Sequence, residues 1–134
     1  MRAEKAIRAL VTGAAALTAL VPAARMYPHA IPQGEQLPAL VIEHVSTVPF
    51  PTLDASAGFG LMQSRIQVTV LTNAYDDLKA VVEQVVLACN YQRGVLAGTR
   101  VNSVVRAFIG PDMTDDDRTV FHQSIDFLVT FQEP

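Results

Sequence analysis

The sequence predicts an α+β fold: a single domain over residues 1–134, with a mostly antiparallel four-stranded sheet and helices packed on one face. Three observations carry that prediction. Arg65 to Leu71 alternates, Ile66, Val68 and Val70 on one side and Arg65, Gln67 and Thr69 on the other, the period of a half-buried strand. After Thr72-Asn73 the period changes. Tyr75, Leu78, Val81, Val82, Val85 and Cys89 recur at helical spacing and line one side of a helix. Two further strand-like runs, Thr99 to Ile109 and Val120 to Phe131, are joined by a connection of turn size, so they should pair antiparallel.

Composition bounds the rest. The chain has 134 residues, 50% hydrophobic and 17% charged, enough apolar surface for one core and no sign of disorder. Its formal charge is -3, so it has no chain-wide basic footprint for nucleic acid. The single cysteine, Cys89, has no internal partner for a disulfide and no second thiol for a metal. Its place on the apolar stripe makes it a small buried hydrophobe.

Taken in order, Arg2 to Val21 is the ambiguous stretch. Arg2, Lys5 and Arg8 precede an Ala-rich apolar run ending in Pro22-Ala23-Ala24, the pattern of a secretory signal. Glu4 and Arg8 interrupt the approach and Thr12-Gly13 breaks the run. Ile7, Leu10, Val11, Leu17, Leu20 and Val21 are spaced for one or two amphipathic helices on a sheet. The run is also too short to span a bilayer. The alternative, a small secreted binding domain with an N-terminal signal peptide, depends on the first pattern winning.

Arg25 to Pro38 is rich in turn formers and reads as an ordered surface connection. Leu40 to Ser46 is a strand by its branched residues. Thr47 to Gly60 is a long loop carrying Val48, Phe50, Leu53 and Phe59; these fold back as a satellite cluster or form a partner-binding arm. In the central helix Asn73 is a candidate cap, and Asp76 and Asp77 suit the helix dipole. Arg93-Gly94 and Gly98 mark a stop and a turn. In the strand that follows, Val101, Val105, Ala107 and Ile109 are expected on one face and Arg100, Asn102 and Arg106 on the other. Gly110 to Arg118, with Asp112, Asp115, Asp116 and Asp117, is a solvated turn without the ligand spacing of a calcium loop. In the last strand Phe121, Ile125, Phe127, Val129 and Phe131 face inward against His122, Ser124, Asp126 and Thr130.

Catalytic patterns are weak. His122, Ser124 and Asp126 have the residue types of a triad but would stand in a row on one strand face, whereas a triad converges. Glu43 and His44 point to opposite faces, and His29 lies in a proline-rich connection without a companion. The chain holds no GxGxxG, phosphate loop or HExxH, so an enzyme, a cofactor and a metal site are not expected.

Leu17-Thr18-Ala19-Leu20-Val21, Arg25-Met26-Tyr27-Pro28, Ile31-Pro32-Gln33 and Leu37-Pro38-Ala39-Leu40-Val41 follow one another in that order. With Thr52-Leu53-Asp54, Arg65-Ile66-Gln67-Val68 entering a helix at Tyr75, and the final Asp126-Phe127 strand, the chain resembles the tail completion family of tailed bacteriophages and prophages. Ala55-Ser56 departs from the pattern, which has a glycine after the aspartate. The resemblance implies a ring-shaped oligomer, hexameric, that caps the tail tube, stops its polymerisation and offers the surface for joining the head. The implied partners are other copies of the chain, the major tail tube protein and head completion or connector proteins. Genomic DNA would meet it only by passing through the ring, and no membrane is involved. The implied place is the virion's head–tail junction, after assembly in the host cytoplasm. On this reading Phe50, Leu53 and Phe59 are candidates for a protein interface, and Arg100 and Arg106 for a subunit contact or the channel wall.

Overall fold

Alternation over two long segments builds the spine of the molecule. In the computed structural model, which describes residues 2–32, 34, 36–49, 60–115 and 119–133, strands β3 (Gly60–Thr72) and β7 (Phe121–Glu133) pair antiparallel along their whole length. The other elements are α1 (Arg2–Thr12), α2 (Ala15–Thr18), a 3-10 turn (Ala23–Arg25), β1 (Met26–Pro28), β2 (Ala39–Pro49), α3 (Tyr75–Cys89), β4 (Gly94–Leu96), β5 (Thr99–Ile109) and β6 (Met113–Thr114). One sheet results, in the order β1-β2-β3-β7-β5-β4, with β6 also on β7.

The sheet has seven strands, and the expected four, now β2, β3, β5 and β7, are its long members. All pairs are antiparallel except β1 with β2, which is parallel. The added strands have two or three residues each, too short to carry a readable period. β1 lies inside the stretch expected to be a surface connection, and its Met26 is buried. The ends of the expected long loop are strand residues. Thr47 to Pro49 continue β2 and Gly60 opens β3, with Pro49 opposite Met62.

One side of the sheet is apolar because the alternation puts Leu40, Ile42, Ile66, Val68, Val70, Ile125, Phe127 and Val129 there, all buried. The three helices cover that side. Leu78, Val81, Val82, Val85 and Cys89 of α3 and Ala3, Ala6, Ile7 and Val11 of α1 join the same cluster, as does Leu17 of α2. The segment with a signal-like pattern is therefore part of the core. Leu20 and Tyr75 depart from the expected stripes and are exposed.

Helix α3 begins one residue later than an Asn73 cap requires. Its N-cap is Ala74, with extended backbone and no side-chain cap bond; the hydroxyl of Thr72 donates to the Ala74 carbonyl at 2.8 Å, and Asn73 is exposed. Asp76 and Asp77 do occupy the first turn, where the dipole favours them. Between β4 and β5 the loop is Ala97-Gly98, with φ of 51° and 79°. Positive φ at both positions is what a tight hairpin turn of matching twist needs, and glycine adopts it without strain.

Register errors in β5 change its faces. Bulges between Val101 and Ser103 and between Arg106 and Phe108 each shift the alternation, so Val104 opposes Val129 and is buried while Val105 is exposed. Ala107 and Ile109 are exposed too, against the expectation that they share the buried face with Val101.

Cys89 is fully buried and burial pushes its thiol up to about 12 from 9.0. The folded chain then holds a proton that the unfolded chain releases, so the thiol's contribution is intact below the unfolded value and is lost as pH rises toward the folded one. Stability should fall by about 1.4 kcal/mol per pH unit across that alkaline window. Cys89→Ala should remove this slope, and urea unfolding of both chains at several alkaline pH values measures it. Equal slopes in the two chains would count against the assignment.

Candidate assembly surfaces

The face of the sheet opposite the helices is polar and knitted to itself. Asp126 of β7 accepts from Arg65 Nη1 at 2.8 Å and from Gln67 Nε2 at 3.3 Å, both on the neighbouring β3. Thr69 and Ser124 share a hydrogen bond at 3.0 Å, and Gln63 donates to Thr130 at 3.5 Å. Ser124 and Asp126 are thus occupied by cross-strand partners, and with His122 they form a row along one strand. Nothing in that row converges as a triad must.

Glu43 and His44 do diverge. Glu43 Oε2 lies 4.0 Å from His29 Nδ1, a companion that the sequence did not reveal because β1 brings His29 beside β2. With His29 90% exposed the pair contributes little, about 0–1 kcal/mol. His44 Nε2 instead meets the Thr47 hydroxyl at 2.6 Å, which meets Ser64 at 2.6 Å. Among the described residues no group of three or more His, Cys, Asp or Glu could hold a metal ion.

The aspartate-rich turn closes the β5–β7 hairpin. The Asp115 carboxylate accepts from the backbone amides of Val120 at 3.1 Å and Thr119 at 2.8 Å, and these donors hold its pKa down. Asp112 pairs with Lys79, lowering the carboxyl and raising the amine; Tyr75 also donates to Asp112 at 3.3 Å. Asp116 and Asp117 lie outside the described residues.

Arg100 and Arg106 do not share a face. Arg106 stands opposite Phe127, so its side chain belongs to the helix-bearing side, where its backbone amide donates to Asn90 Oδ1 at 3.0 Å. Arg100 instead opens onto a shallow groove with Arg93, Asn102 and Gln132. Among the described residues none of Arg93, Arg100 and Arg106 is in an ion pair. Sequence reasoning missed Arg93, which its closeness to Gly94 hid as a turn signal. Phe50, Leu53 and Phe59 lie outside the described residues.

Large exposed apolar side chains concentrate at one margin. Tyr91, Val95 and Phe108 are each more than half exposed, all on or beside the β4–β5 border. At the opposite margin Val45 and Val48 of β2 are likewise about half exposed.

The tail completion protein gp17 family matches residues 5–132. The chain belongs to that family. A solved chain from the virion of a native gene transfer agent particle shares its fold, with a TM-score of 0.73 and 17% identity over 97% of this chain and 94% of that one. A second solved chain has a TM-score of 0.55 and 17% identity over 96% of this chain and 94% of that one. No curated protein matches the chain by sequence. A tail completion protein is a structural component of phage tails.

Proposed function

We propose that this tail completion protein is the terminator of the tail tube: it caps the growing tube, stops further addition of tube protein and presents the surface that joins the head. It acts as a closed ring of copies, six in number, at the head–tail junction of the virion. The family match across nearly the whole chain carries the reading. Capping is a task of shape, and the described residues offer strand borders without a further strand neighbour and exposed apolar side chains. On this reading the tube and the head connector contact the ring, no catalysis occurs, and DNA passes through the lumen. The 50–59 connection, with Phe50, Leu53 and Phe59, contacts the tube or a neighbouring copy. Arg93 and Arg100 supply positive charge for a neighbour or for passing phosphates.

Electron microscopy of particles assembled without this chain tests the proposal. Overlong tails, or unjoined heads and tails, are expected, and supplying the chain in trans should restore uniform tails. Tails of normal length and normal joining in its absence would overturn it.

A further inference from the structure

The two margins of the sheet are stepped in opposite senses. Cross-strand partners define rungs, which can be named by their β3 residue. On one margin β1 covers β2 only at the rungs of Val68, Thr69 and Val70, and Glu43 to Pro49, at the rungs of Gln67 to Met62, have no further strand neighbour among the described residues. On the other margin β4, the Tyr91-Gln92 segment and the Asn90 side chain cover β5 up to Arg106, at the rungs of Met62 to Ile66. Phe108 to Thr114, at the rungs of Gln67 to Thr72, have none there. Where one margin protrudes, the other is recessed.

Unpaired strand borders are templates for another strand, and proteins that stay single blunt them. Here both recesses carry exposed apolar side chains, Val45 and Val48 on one and Phe108, Ile109 and Met113 on the other. Strand directions fit as well. β2 and β5 run in opposite directions and β1 is parallel to β2, so the β1 of a second copy, placed beside β5 in the same orientation, runs antiparallel to it.

We propose that copies of this chain associate head to tail through these borders, the β1–β2 margin of one against the β4–β5–β6 margin of the next. Such a contact uses two different surfaces, so it propagates and, where the rotation closes, forms a ring. The inference rests on the capping reading for its need of a ring and adds which surfaces build it.

Cysteine pairs test it in purified particles assembled with the variant chain: Glu43→Cys with Arg106→Cys, and, as a second pair at exposed apolar positions, Val48→Cys with Val95→Cys. Buried Cys89 stays out of the reaction. A short bismaleimide should link each double variant into a ladder extending beyond dimers, while each single variant stays monomeric. Monomers only from both double variants, in particles with tails of normal length, would overturn the border assignment and leave the capping reading standing. Dimers from a single variant would overturn it in favour of a two-fold contact. Particles of normal length that lack the chain altogether would overturn the capping reading, and this inference with it.

Discussion

Phe127→Ala should cost about 3–5 kcal/mol of stability, the range for truncating a large aromatic in a core that cannot collapse around the gap. Phe127 is completely buried in β7, which is held on one side by β3 and on the other by β5. Two fixed neighbours leave the backbone little freedom to close in. A domain of this size is stable by about 5–15 kcal/mol, so the variant would sit near the limit and its abundance in the cell should fall. Phe121 at the other end of β7 is the control. It is only partly buried and meets Tyr75 edge-on at 6.4 Å, so its truncation should cost clearly less. Urea midpoints at unchanged m-value separate the two. A loss below about 1 kcal/mol at Phe127 would mean that the inner face of the sheet relaxes more freely than close packing allows.

The residues that define this core were legible because each belongs to a long periodic element. Tyr75 to Cys89 forms the expected helix, starting one residue later than an Asn73 cap requires, and Thr99 to Ile109 forms a strand with the expected bounds. Burial of Ile66, Val68, Val70, Ile125, Phe127 and Val129 follows the alternation read from the chain. Legibility stops where a neighbour distant in sequence decides. The two bulges in β5 are set by its pairing with β7, and nothing in the run Val101 to Ile109 announces them; one extra residue sends Val105 outward and moves Arg106 away from the face of Arg100. β1 is invisible for a related reason. Three residues ending in Pro28 have no period, and only β2 makes them a strand.

The candidate surfaces were read less well than the core, because a border is a property of the assembled sheet. Arg100 was singled out by type, but the groove that it shares with Arg93 depends on the tight β4–β5 hairpin at Ala97-Gly98. The polar face was anticipated from Arg65, Gln67, Thr69, Ser124 and Asp126, whose alternation is regular. Their mutual bonds, such as Arg65 to Asp126 at 2.8 Å, add the reason that they stay on that face: each polar group is satisfied without leaving the sheet.

Removing residues 2–12 should abolish cooperative folding. The segment supplies Ala3, Ala6, Ile7 and Val11 to the core, all buried. Ile7 and Val11 alone are worth about 3–6 kcal/mol at 1.5–3 kcal/mol per fully buried aliphatic side chain. Its loss would also bare α3, which packs against α1, and free β1, whose Met26 carbonyl accepts from Arg8 Nη1 at 2.5 Å. The truncated chain should therefore lose its near-ultraviolet dichroism and its sharp thermal transition, whereas Ile7→Ala in the intact chain should unfold cooperatively after a loss of about 2–5 kcal/mol. This measurement also decides between a helix and a discarded leader. A secretory signal is removed from a domain that folds without it, so a chain starting after Val21 that kept full stability would restore the secreted reading. The burial of Ile7 and Val11 against the same cluster as Leu78 and Val85 predicts the opposite result.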